Sequence, residues 1–251
     1  MIIHRYSLRC FLFILTLAAI APAVRAAENE IEVGTLMSNY VWRGLRLSNG
    51  PVYQASVTLA TKGFSFNAWG NYDFHQGRVS ETDLTFSYTR TFKKISLETG
   101  FIHYAIIKEH DSDEVYVDLY ADCPLQPELA LYYDINLGTG AFLQASVGHS
   151  IKLSTRASLD LKASMGVVFQ DGYMGVPDNE QEFNGLHNAE ILVSCPIKLR
   201  DHWTLTMQAG ASTPLSSKAR QAIRNGSIWD RAQGSFNSTI VYGGITVAFS
   251  F

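Results

Sequence analysis

Tyr242-Gly243-Gly244-Ile245-Thr246-Val247-Ala248-Phe249-Ser250-Phe251 closes the chain, and from Ile245 onward every odd position is large and apolar while every even position is small or polar. This is strict period-two alternation, a strand with one oily face and one polar face. As the edge of a water-facing sheet it would leave an apolar stripe open to aggregation. As the closing strand of a lipid-embedded barrel it meets acyl chains, and its edge is paired.

The same alternation recurs upstream. Phe64, Phe66, Ala68 and Tyr72 oppose Ser65, Asn67, Asn71 and Asp73; Val115, Val117 and Leu119 oppose Glu114, Tyr116 and Asp118; Leu159, Leu161 and Ala163 oppose Asp160, Lys162 and Ser164. Reading the chain through predicts about twelve strands of roughly 9 to 14 residues. The first is expected over 31–42, with a bulge near Leu36 and Met37. Connections after even-numbered strands, near Lys62, Lys93, Leu125, Thr155 and Arg200, are short. The long ones, above all 171–185 and 214–235, follow odd-numbered strands. Short turns at one end and long loops at the other are the asymmetry of an outer-membrane barrel, which a sandwich has no reason to adopt. Aromatics collect near both strand ends, with Tyr40, Trp42, Tyr72, Phe101, Phe169 and Phe183 at the expected outer rim and Phe64, Trp203, Phe249 and Phe251 at the inner one. The expected fold class is all-β, a closed antiparallel up-and-down transmembrane barrel.

His4, Arg5 and Arg9, then the apolar run Cys10 to Ile20, then Val24-Arg25-Ala26, follow the plan of a secretory signal peptide over 1–26, leaving 27–251 as the barrel. Its removal leaves 17 Lys and Arg against 23 Asp and Glu, a balance of −6 that offers no basic footprint for nucleic acid. Cys123 and Cys195 remain and are read as free thiols. The expected location is the outer membrane of a Gram-negative-type bacterium.

"SNYVWRG" at Ser38 to Gly44, followed by "LSNGPVYQASVTLA" and "GFSFNAWGNYDF", resembles the start of the TorF-type porin family, in which S-x-Y-V-[FW]-R-G precedes a proline-containing strand entry. "YYDINLGTGAFLQASVGHSIKL" and "GGITVAFSF" are similar to the family's later hairpins and closing strand. The likeness is strongest over 33–105, and Tyr40, Trp42, Arg43 and Gly44 carry its specific part. Where the family often has "GISQ" after the arginine, this chain has "GLRLSNG", which adds Arg46. The resemblance implies an outer-membrane barrel and does not fix a solute.

Strand parity places Asp83, Glu98, Asp118, Asp134, Asp160 and Glu190 on the lumen wall, with Lys162 and Lys198 as its main cations. An acidic ring in a narrow lumen favours cations; the same acids paired with bases and tyrosines would instead fill the barrel. Arg43 and Arg46 sit where the first strand meets its loop. Arg43 either projects inward as a constriction cation or braces the rim against Asp73 or Asp83. Ser216 to Gly226 reads as a capped helix carrying Lys218, Arg220 and Arg224, with Arg231 beyond; it is either a candidate gate over the acidic mouth or a solvated loop that touches lipopolysaccharide, and the second reading is favoured. No cofactor or metal spacing is present: the seven histidines are scattered, and neither acidic loop completes a calcium motif. No catalytic constellation emerges either; His149 and Ser150 are adjacent and point to opposite faces. The function expected is passive diffusion of small hydrophilic solutes through a porin-like channel with cation preference. A non-conducting structural or partner-binding barrel is the alternative, and an outer-membrane lipid hydrolase the third reading. Expected partners are outer-membrane lipid and lipopolysaccharide, the solutes themselves, and the outer-membrane assembly machinery through the strand ending at Phe251.

Overall fold

Alternation of this kind satisfies backbone hydrogen bonds only if every strand finds a neighbour on both sides. The computed structural model, which describes residues 29–107, 109–227 and 239–251, does this with a closed ring. The strands are β1 (Glu30–Met37), β2 (Val41–Trp42), β3 (Leu45–Arg46), β4 (Val52–Thr61), β5 (Phe64–Asp73), β6 (Arg78–Phe92), β7 (Ile95–Ile106) and β8 (Ser112–Ala121), then β9 (Glu128–Asp134), β10 (Ala141–Lys152), β11 (Ser158–Asp171), β12 (Phe183–Arg200), β13 (Trp203–Pro214) and β14 (Ile240–Ser250). One helix, α1 (Ser217–Gly226), precedes the last strand. Twelve of these strands form the antiparallel barrel, each beside its chain neighbour, with β1 pairing β14 on one side and β4 on the other. The expected signal peptide and Arg231 lie outside the described residues.

The outer wall is apolar. Val241 is 71% exposed, Ile191 62% and Phe64 61%, and Phe86, Leu129, Leu131, Tyr133, Met207 and Ile245 share that surface. So continuous a belt is far larger than the patches that water-soluble monomers tolerate, and hydrocarbon is the solvent that suits it. Rings pair across strands within it, Phe64 with Tyr88 at 4.7 Å, Phe66 with Phe86 at 4.9 Å, and Trp203 with Phe249 at 5.0 Å. Cys123 and Cys195 are both free.

The seam differs from expectation in two ways. The register shift in β1 falls after Glu32, not near Leu36 and Met37. At this point the Tyr53 ring lies where a Cβ on Gly34 would stand and donates its hydroxyl to the Val33 carbonyl. The first strand also stops at Met37 instead of continuing to residue 42. The chain beyond it leaves the wall and folds inward, because Trp42 pairs Leu45 across Arg43 (φ 49°) and Gly44 (φ 82°). Two successive positive φ values make the tight turn that suits a two-residue hairpin, and glycine takes the second without steric cost. The loop is tied to itself by Leu47 N–H to the Tyr40 carbonyl at 2.8 Å and by Tyr40 N–H to Ser48 Oγ at 2.7 Å.

Candidate functional site: a lumen narrowed by an inward hairpin

Arg43 stands at the tip of the β2–β3 hairpin. Its guanidinium donates to both oxygens of Glu114, at 2.6 and 2.8 Å, with both side chains 7% exposed. Tyr104 donates to the same carboxylate at 2.8 Å. The guanidinium face lies 4.4 Å from the Trp42 ring, 4.2 Å from Tyr132 and 4.9 Å from Phe142. Arg43 therefore does point inward, and its brace is Glu114 on β8, not Asp73 or Asp83. Asp73 is occupied in its own turn, accepting from the backbone of His75 and Gln76. Arg46 contributes its backbone N–H to Ser227 Oγ at 3.0 Å, which joins the hairpin to the end of α1.

Behind Arg43, three external segments share one apolar cluster. Leu45 of the hairpin, Met174 of the loop between β11 and β12, and Ala219, Ala222 and Ile223 of α1 pack with Phe142, Val168 and Phe183. Gly175 (φ +109°) permits the contact, since a Cβ there would stand 2.1 Å from the Ala222 carbonyl oxygen. Tyr40, Trp42 and Phe183 thus belong to the interior and not to the outer aromatic belt. Rings near strand ends have no parity of their own once the chain leaves the sheet. Replacing Ile223 by Ala, in a site that is 1% exposed, is expected to loosen α1 by about 2 to 4 kcal/mol. Amide exchange over 217–226 should accelerate while the barrel strands keep their protection.

The helix covers the mouth through its apolar face, and its cations point elsewhere. Ser216 caps it, accepting from Ala219 N–H at 3.0 Å. Lys218 pairs with Glu180 at 2.7 Å and Arg224 with Asp178 at 2.8 Å, while Arg220 is exposed. The expectation that these charges meet lumen acids gives way to a clamp between α1 and the neighbouring loop. Donation from Asn225 and Arg224 holds the Asp178 carboxyl below the usual carboxylate range. A lowered folded value means that the clamp is intact above the ordinary value and is lost as pH falls through the lowered one. Asp178→Asn at neutral pH is expected to reproduce the acid behaviour of the wild type, read as faster exchange of the α1 amides and no change in the barrel.

The lid occupies the β9–β12 side of the mouth and leaves the β5–β8 side open. An outer vestibule of about 480 Å³ is lined there by Gln76, Arg78, Glu81, Glu109, Glu114 and Asp134 among others. Below it a second cavity of about 460 Å³ lies against Asn67, Trp69, Asp83, Thr85, Gln144 and Glu190. Tyr40, Trp42 and Tyr104 border both, and the Trp42 and Tyr104 rings meet edge to face at 6.0 Å. These three aromatics are the septum between the two spaces. A third cavity of about 350 Å³, near Tyr120, Glu128, Asp160 and Lys162, lies toward the end with short turns.

The acids named from parity all stand on the inner face. Glu98 accepts from Tyr116 and Thr89, each at 2.6 Å; Asp134 accepts from Ser112 at 2.8 Å; Asp160 accepts from Ser150; Glu190 borders the lower cavity. Lys162 is held by Glu128 at 2.8 Å. Asp83 and Asp118 each keep a buried Oδ1 without a hydrogen-bond partner among the described residues. The structure adds Glu81, Glu114, Glu128, Tyr104 and Tyr132, which parity puts on the same face but does not connect to the hairpin.

No family model and no curated protein matches the chain. Among solved structures it is similar to the NanC porin, with a TM-score of 0.55 at 10% identity, covering 89% of this chain and 98% of that one. What the two share is the fold. The translocator domain of the autotransporter NalP from Neisseria meningitidis superposes more loosely, with a TM-score of 0.42 at 11% identity over 97% of this chain and 94% of that one. So does an anion-selective porin from Comamonas acidovorans, at 0.36 and 11% identity over 81% and 60%.

Proposed function

We propose that this chain is an outer-membrane porin-like channel for passive diffusion of small hydrophilic solutes, preferring cations, with the β2–β3 hairpin as its constriction. The observation that carries this reading is a series of cavities inside a closed barrel, the upper two both bordered by Tyr40, Trp42 and Tyr104, with carboxylates on their walls. A solute entering the vestibule meets Glu81, Glu109, Glu114 and Asp134 against Arg78, passes the septum, and continues past Asp83, Glu190 and Asp118 toward Glu128 and Asp160. Carboxylates in a low-dielectric tube raise the local concentration of cations and repel anions. The apolar belt supports residence in a bilayer, and its β architecture supports the outer membrane of a Gram-negative-type bacterium, with export by a cleaved segment over 1–26. The "SNYVWRG" likeness supports the TorF-type family, since its tryptophan, arginine and glycine build the hairpin tip. Lipopolysaccharide at the external loops and the assembly machinery at the strand ending in Phe251 complete the proposed partners.

The lid favours one other reading, a barrel that does not conduct, because the hairpin, the 172–182 loop and α1 pack together within the mouth. Recording from purified protein in a planar bilayer with a salt gradient separates the two. Discrete steps with a reversal potential of cation-selective sign support the channel; silent membranes containing folded, heat-modifiable barrel support the plug.

A further inference from the structure

On the inner wall just below the septum, register sets Asp83 between Trp69 on β5 and Tyr104 on β7, directly opposite each. Side chains in such cross-strand positions lie about 5 Å apart at Cβ, so the carboxylate is flanked by two rings. Tyr40 lies against Trp69 at 5.6 Å, and Trp42 and Tyr132 complete the aromatic border of the 460 Å³ cavity. The size is that of a small-molecule site.

Its charges are unequal. Asp83 and Glu190 border the cavity, and among the described residues its one bordering cation, Arg43, is neutralised by Glu114 and stacked on Trp42, Tyr132 and Phe142. Lys162, on the strand beside Glu190 and one diagonal step from it in register, is already bound to Glu128. Glu81 lies two residues from Asp83 on the same face of β6, and among the described residues the buried Asp83 Oδ1 atom receives no hydrogen bond. A buried acceptor without a donor, beside a second carboxylate, is costly unless a cation joins it. A metal ion would need several donors around one point. Among the described residues no group of three or more His, Cys, Asp or Glu is placed to hold one. Aromatic faces with isolated carboxylates instead match an ammonium carried on carbon, which ring quadrupoles attract and a carboxylate neutralises.

We propose that the cavity bounded by Trp69, Tyr104, Tyr40, Asp83 and Glu190 is a binding site for small organic ammonium ions, with the cation beside Asp83 and against the Trp69 and Tyr104 rings. This deepens the channel reading by naming its solute class. Binding measured in detergent does not require conduction, so a barrel that fails to conduct would still reveal the site.

Trp42 and Trp69 both border the cavity, whereas Trp203 lies on the outer wall, which gives a direct probe. A Trp203→Phe, Trp229→Phe protein, folded in detergent and checked by heat-modifiable migration, is titrated at constant ionic strength with putrescine, with choline, with sodium and with acetate. Saturable fluorescence change is expected with the two ammonium ions and not with sodium or acetate. Asp83→Asn in the same background is expected to weaken binding by about tenfold or more, and Glu190→Gln by less. Should Asp83→Asn fail to fold, Trp69→Leu serves instead, with loss of the choline response expected. A flat titration with both ammonium ions, an equal response to sodium, or unchanged affinity in the folded variants overturns the proposal.

Discussion

Replacing Glu114 by Gln is expected to free the hairpin and enlarge the open state. Arg43 and Glu114 are each 7% exposed and joined by two hydrogen bonds, so the substitution leaves a guanidinium buried without its counter-charge. Losing one member of such a pair costs about 3 to 5 kcal/mol. Most of that cost should fall on the hairpin and not on the barrel, whose strands keep their own ladders. Arg43 also sits in a left-handed conformation at φ 49°, which a non-glycine residue adopts only when its surroundings hold it there. Single-channel traces of Glu114→Gln should therefore show larger and noisier steps than wild type. Arg43→Gln should do the same, and the double variant should lie nearer to wild type than the sum of the two, because neither member is then left charged and alone. Singles that match wild type in conductance and noise would remove the pair from any role in holding the constriction.

Reversing the wall charge is expected to reverse selectivity. Asp118 keeps an oxygen without a hydrogen-bond partner, and Asp160 lies beside Lys162 in the cavity at the short-turn end. At about 8 Å and an effective dielectric constant near 20, one unit charge shifts an ion's energy by about 2 kcal/mol, and by about 0.5 kcal/mol in bulk water. Asp118→Lys with Asp160→Lys should accordingly change the cation-to-anion permeability ratio by about tenfold or more, with the effect shrinking at high salt. Both side chains lie away from the hairpin, so step size should change less than selectivity. An unaltered reversal potential would mean that these acids do not face the conducting path.

The wall of this barrel was written in its alternation. Ile245, Val247 and Phe249 against Thr246, Ala248 and Ser250 define inside and outside, and cross-strand register carries the distinction to Glu98, Asp118 and Asp160 on strands far away. The hairpin was not legible in the same way. In Tyr40-Val41-Trp42-Arg43-Gly44 aromatic and basic residues follow one another without a period, which reads equally as a strand end at the rim. What sends this segment inward is a partner 71 residues later, Glu114, whose parity is visible but whose pairing is not. The same holds for α1: its Ser216 cap and its length follow from local chemistry, while the direction of its apolar face depends on Leu45, Met174 and Phe183. Its cations looked suited to the acidic mouth, yet Asp178 and Glu180 lie closer and in water, where pairing requires no desolvation. Gly44 was the clearest local sign available, since arginine followed by glycine between Trp42 and Leu45 suits a tight hairpin turn.

The most direct test of the central claim compares single-channel conductance of the wild type with that of a protein in which residues 41–46 are replaced by a Gly-Ser linker of equal length. Folding of both is verified by heat-modifiable migration. If the hairpin is the constriction of a cation-preferring lumen, the wild type conducts in small cation-selective steps, and the replaced protein conducts severalfold more while losing part of that selectivity. Equal conductance in the two proteins, or silence in both, would contradict it.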